Sequence, residues 1–115
     1  MSKTKKYATI LSNYILGVAE RYKNAKDGYQ TLAIIDKERN HYQSLIHGFH
    51  KDTYAHTFTV QFHFDIIKEQ IWIQCNNTDV PVEEELLNLG VPKSDIVFGW
   101  LPEYARAHSS WGKAA

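Results

Sequence analysis

The sequence predicts an α+β domain: an N-terminal amphipathic helix, a four-stranded antiparallel meander, a short C-terminal helix and a C-terminal stretch suited to an extra short strand. Three patterns lead there. Tyr7, Ile10, Leu11, Tyr14, Ile15, Val18 and Tyr22 recur at steps of three and four, which place side chains on one face of a helix. Phe58, Val60, Phe62, Phe64 and Ile66 alternate with Thr57, Thr59, Gln61, His63 and Asp65, the period of a strand with one apolar face. Val82, Leu86 and Leu89 return to helical spacing behind Glu83, Glu84 and Glu85.

The first helix, about residues 4–24, runs for about five turns. Asn24 to Gly28 supplies turn residues, and Gly28 can adopt the left-handed conformation that ends a helix. The sheet is expected over about residues 30–76. Its first hairpin joins Gln30–Asp36 to His41–Phe49 across the charged Lys37-Glu38-Arg39-Asn40 turn. A second joins Tyr54–Ile66 to a strand carrying Ile71, Ile73 and Cys75, turning at Lys68-Glu69. That turn sets Ile66 opposite Ile71, Phe64 opposite Ile73 and Phe62 opposite Cys75, and a slip of one residue would bring Trp72 and the glutamines against the apolar rows.

The Asn76-Asn77-Thr78-Asp79 loop offers cap candidates for the acidic helix, whose first-turn carboxylates suit the helix dipole. Gly90 stops that helix and Pro92 prevents its resumption. Asp95 to Trp100 suits a short strand, and Leu101 to Ala115 reads as a tail with one helical turn near Glu103 to His108. The C-terminal segment thus covers about residues 80–108. At 115 residues the whole makes one domain.

Thirteen basic residues balance thirteen acidic ones, so the molecule as a whole offers a polyanion no attraction. The charge is uneven, however. Residues 1–26 carry Lys3, Lys5, Lys6, Arg21, Lys23 and Lys26 against Glu20 alone, a local balance of plus five. A direct DNA-binding module using this helix is therefore one alternative reading; a solvated rim at the two helix ends is the plainer one. A single cysteine, Cys75, cannot form an internal disulfide, and no apolar run is long enough to span a bilayer. The N-terminus lacks a secretory apolar core, so a soluble cytoplasmic protein without membrane contact is expected.

Catalytic motifs are missing: there is no phosphate loop, nucleophile elbow or His-Glu-x-x-His pair. A nuclease would draw on Asp36, Glu38, Asp65 or Glu69 as magnesium ligands, but a charged turn and a solvated hairpin tip explain most of them better. His47, His50 and His56 invite a metal or small-ligand reading. Neither a cysteine nor a close carboxylate completes the set, and period two sends His63 to the opposite face from His56. No catalytic residue, metal ligand or cofactor is assigned, and an enzyme is not expected. Hydrogen bonding that fixes the hairpins is the expected role of His41 and His56.

The second sheet face holds the better clue. Trp72 faces away from Ile71 and Ile73, and the strand His41–Phe49 is apolar on both sides, with Tyr42 and Ile46 on one and Leu45 and Phe49 on the other. Together with Ile35, these residues suggest an apolar patch of Trp72, Phe49, Leu45 and Ile35. Such a patch is covered by the chain's own Asp95 to Trp111 segment, by a second copy in a homodimer, or by another protein.

Three strings are more specific than these patterns. They are Asp36-Lys37-Glu38-Arg39-Asn40-His41-Tyr42-Gln43-Ser44-Leu45, Gln70-Ile71-Trp72-Ile73-Gln74 and Gly90-Val91-Pro92-Lys93-Ser94-Asp95-Ile96-Val97-Phe98-Gly99-Trp100. In order and spacing, over roughly Asp36 to Arg106, they resemble the XisI family. Those are small excision controlling factors named for assisting removal of the fdxN element during cyanobacterial development. The resemblance implies a non-enzymatic accessory factor working with a XisH-like, nuclease-fold partner to control a site-specific recombinase, with DNA contacted indirectly. It carries no catalytic residue onto this chain. The chain departs from the family's pattern at Gly48-Phe49 (Gly-Trp), His56-Thr57 (His-Gly), Asn76-Asn77-Thr78-Asp79 (Asp-Gly-Thr-Glu) and Trp100-Leu101-Pro102-Glu103 (Phe-His-Pro-Pro).

Overall fold

A computed structural model describes residues 2–23 and 27–115; Met1 and residues 24–26, which include the expected helix end, part of the following turn and Lys26, lie outside the described residues. The first helix, α1, spans Lys3–Tyr22, and Ser2 caps it by accepting a hydrogen bond from the Lys5 amide at 3.2 Å. Its apolar stripe buries Tyr7, Leu11, Ile15 and Val18, with Ile10 and Tyr14 partly buried beside them.

Five strands follow: β1 (Tyr29–Asp36), β2 (His41–Phe49), β3 (His56–Ile67), β4 (Gln70–Asn76) and β5 (Ile96–Phe98), side by side in that order. The first four form the expected antiparallel meander. The extra strand β5 pairs parallel to β4, because the chain returns through the helix α2 (Val82–Asn88) before re-entering the sheet. A final helical turn, α3, covers Glu103–Arg106.

One face of the sheet, called here the near face, packs on α1 and α2. Tyr42, Phe62, Phe64, Ile66, Ile71, Ile73 and Ile96 meet Tyr7, Leu11, Ile15, Val82 and Leu86 there in one buried cluster. The rings of Phe62 and Phe64 each receive the edge of Tyr14, at 5.9 and 5.8 Å between centroids.

Two β-bulges correct the simple alternation. In the β2–β3 pairing, Ser44 lies opposite Phe62 but Leu45 lies opposite Val60, so Gln61 is an extra residue. Phe62, Phe64 and Ile66 therefore point into the core while Phe58 and Val60 turn to the far face, where Phe58 is 66% exposed. The same shift brings His56 and His63, expected on opposite faces, onto the far face together. In the β3–β4 pairing, Ile66 opposite Ile71 and Phe64 opposite Ile73 are as expected. Gln74 is then the extra residue, so Phe62 faces Asn76 and Cys75 faces His63.

The Asn76–Asp79 loop does not cap α2, whose N-cap is Pro81 without a side-chain hydrogen bond. It folds on itself: Asn76 Oδ1 accepts from the Thr78 amide at 3.0 Å, and Thr78 Oγ1 from the Val80 amide at 3.0 Å. The C-terminal tail guards the β5 edge. Gly112 donates its amide to the Ile96 carbonyl at 2.9 Å, and the Gln70 side chain donates to the Lys113 carbonyl at 2.6 Å and accepts from the Ala115 amide at 2.8 Å.

Two tyrosines tie the helices to distant carboxylates. Tyr7 donates its hydroxyl to buried Asp95, which Lys3 also meets at 3.1 Å, and Tyr14 donates to Glu85 at 2.6 Å. Replacing Asp95 by alanine leaves the Tyr7 hydroxyl buried without a partner, and an unfolding titration should show a loss of about 1–3 kcal/mol. Burial first, then these hydrogen bonds, push both phenols well above the ordinary tyrosine value of 10.0. The folded chain therefore keeps protons that the unfolded chain releases. The corresponding stability is fully present below pH ~10 and falls as pH rises toward the folded-state values. Thermal melts across that range should decline more steeply for the parent than for Tyr7→Phe.

Candidate functional site

The sheet register assembles the site on the far face. His41 of β2 lies opposite Asp65 of β3, which lies opposite Trp72 of β4; Gln43 and His63 form the adjacent pair. The Asp65 carboxylate is the hub. Its Oδ1 stands 2.6 Å from His41 Nδ1 and 2.8 Å from His63 Nε2, and its Oδ2 accepts from Gln74 Nε2 at 3.1 Å. The other ring nitrogen of His63, Nδ1, lies 2.8 Å from Gln43 Oε1. Burial raises the pKa of the Asp65 carboxyl, but the hydrogen bonds from His41, His63 and Gln74 outweigh it and hold the group below the ordinary carboxylate value. The Asp65 side chain is 15% exposed, whereas that of His41 is 51% exposed, so the cluster opens to solvent on the β2 side.

The bulge at Gln74 has a function here, since the extra residue brings a side-chain amide to Asp65. Gly99 leaves room for it: a Cβ at that position would lie 2.2 Å from Gln74 Oε1. Trp72 lies under the guanidinium of Arg106, 4.9 Å above its ring, and Arg106 is fixed by donating to the Leu101 carbonyl at 2.7 Å. A groove of about 490 Å³ lies beyond Gln74, lined by Cys75, Asn77, Glu83, Phe98 and Trp100; Gln74 alone is common to it and the cluster.

The C-terminal arm thus covers the β4 side of the far face and leaves the β1–β3 side open. On that open side stand the rows Leu32–Leu45–Val60 and Gln30–His47–Phe58, with Phe49 beside His56. Ile34, Leu32 and Phe58 are exposed, and Phe49 is 59% exposed, its ring 4.8 Å from that of His56. The four residues named from sequence for this face do not form one continuous patch. Phe49 is open, Leu45 is buried beneath its neighbours, Trp72 is covered by Arg106, and Ile35 pairs with Tyr42 on the near face and packs against the core.

The histidines divide differently from the sequence expectation. His47 sits across from Phe58, His50 Nδ1 accepts from the Asp52 and Thr53 amides at 3.2 Å within a turn, and His56 packs on Phe49. Among the described residues the only grouping of three potential metal donors is His41, His63 and Asp65. The nuclease acids also disperse. Asp36 accepts from the Arg39 amide at 3.0 Å, and Glu38 and Glu69 occupy exposed turns. Finding the cluster from sequence required the β2–β3 register, although His63 and Asp65 two apart on one strand were the visible half of it.

The fold defines a small α+β class, a mixed five-stranded sheet with helices on one face and a C-terminal arm on part of the other. The XisI family model, described as XisI protein, matches residues 1–113, and the chain belongs to that family. A XisI-like protein from Anabaena variabilis ATCC 29413 is 32% identical, with a TM-score of 0.85 over 96% of this chain and 99% of that one. The fdxN element excision controlling factor XisI from the same organism shares the fold at 23% identity, with a TM-score of 0.78 over 98% and 100% of the two chains. No match was found among curated proteins. Four residues of the strings that carried the resemblance, His41, Gln43, Trp72 and Gln74, converge on the Asp65 site.

Proposed function

We propose that this protein is a non-enzymatic accessory factor that controls excision or rearrangement of a DNA element by holding a XisH-like, nuclease-fold partner, which acts with a recombinase. Family membership and the described role of the 23%-identical neighbour supply the process. The observation that carries the mode of action is the open half of the far sheet face, where Leu32, Ile34, Phe49 and Phe58 present large apolar groups to solvent on one surface. An apolar sheet face of this kind suits a polypeptide partner better than a polar substrate.

The basic helix gives less support to direct DNA binding. Lys3 is paired with Asp95 and Lys23 with Glu20 at 2.8 Å, and the basic residues stand at opposite ends of a helix of about 30 Å. Co-expression with the XisH-like product of a neighbouring reading frame should yield a stable complex that survives moderate salt and gel filtration. Failure to form it, together with a mobility shift of DNA by the chain alone that collapses with salt, would transfer the function to α1.

A further inference from the structure

We infer that His41, His63 and Asp65 form a binding site for one divalent transition-metal ion of the zinc type. This goes beyond the partner-holding role and does not depend on it. One ring nitrogen from each of His41 and His63 and one carboxylate oxygen of Asp65 all lie within 4.8 Å of one another. Bonds of about 2.0–2.1 Å to a common ion would set such donors roughly 3.3 Å apart. Oδ1 of Asp65 is already 2.6 and 2.8 Å from the two nitrogens, so small side-chain rotations open the space.

The outer contacts point the same way, because metal-binding histidines and carboxylates typically have their remaining polar atoms held by hydrogen bonds. Here Gln43 holds the far nitrogen of His63, and Gln74 holds the second oxygen of Asp65. Two imidazoles and one carboxylate suit zinc and its neighbours rather than magnesium or calcium, which prefer shells of oxygen. The exposed flank of His41 leaves a coordination position open to solvent or to a side chain from outside.

The test uses the full-length, tag-free chain, stripped of metal and titrated with Zn²⁺ against a chromophoric chelator. One equivalent should bind and Mg²⁺ should not compete. His63→Ala and Asp65→Asn should each weaken binding on the order of 100-fold or more, and Gln43→Leu about tenfold. His41→Ala removes a half-exposed ligand, so it reads the site without threatening the fold, which circular dichroism checks. Joint replacement of His47, His50 and His56 by alanine should leave binding unchanged. Absence of stoichiometric Zn²⁺ binding would overturn the proposal. So would binding that survives His41→Ala and His63→Ala, or binding lost with the His47, His50 and His56 set.

Discussion

Replacing Phe58 and Leu32 together by glutamate is expected to weaken the complex with a XisH-like partner by about 100-fold or more, while the chain keeps its fold. Each position sits in a cross-strand row of the open face, Phe58 beside His47 and Leu32 beside Leu45. A charge placed there must be desolvated when a polypeptide docks, and loss of central anchors at an interface commonly costs about 2 kcal/mol or more. At roughly 1.4 kcal/mol per tenfold, two such losses exceed a factor of 100. In the free protein the same side chains face water, so stability should move by only about 0.5 kcal/mol, as for other surface substitutions. Equilibrium binding and thermal unfolding of one variant therefore separate docking from folding. Leu45 and Ile35 cannot serve this purpose, because both are packed within the sheet and a charge there would act on the fold.

Phe64→Ala should have the largest effect on stability, about 3–5 kcal/mol by denaturant titration. Phe64 is completely buried at the centre of the sheet, paired with Tyr42 and Ile73 on the neighbouring strands and capped by the edge of Tyr14 from α1. Truncation to alanine removes contacts to both layers at once, and β-strand backbones on each side limit collapse into the cavity. For a domain of this size the melting temperature should fall on the order of 15–25 °C. Phe58→Ala is the informative partner experiment. It alternates with Phe64 in sequence like any residue of the same face, yet it should cost far less, because the bulge at Gln61 has turned it out of the core.

That comparison locates where sequence periodicity succeeds and where it stops. The stripe of α1 and the span of β2 were legible because each residue reports its own face through its spacing. The hairpin pairs Ile66–Ile71 and Phe64–Ile73 were legible because a slip would have been costly. Gln61 and Gln74 left no mark, since a polar residue at a polar position looks the same whether it is bulged or regular. From those two residues follow the exposure of Phe58, the altered partners of Phe62 and Cys75, and the common face of His56 and His63. The Tyr7–Asp95 contact joins residues 88 positions apart, so no local pattern reports it. Asp65 was visible only as one of several scattered carboxylates, and its meaning depended on His41 arriving from the neighbouring strand. The strings that identified the family nevertheless contained His41, Gln43, Trp72 and Gln74 of the site.

Hydroxyl-radical footprinting of the free chain and of its complex with a XisH-like partner tests most directly where the partner sits. Side-chain oxidation should drop at Phe58, Phe49, Leu32 and Ile34 and remain unchanged along the exposed side of α1, including Leu16. Unaltered labelling of those four residues, with protection falling on α1 or on the C-terminal arm instead, would contradict a docking role for the open sheet face.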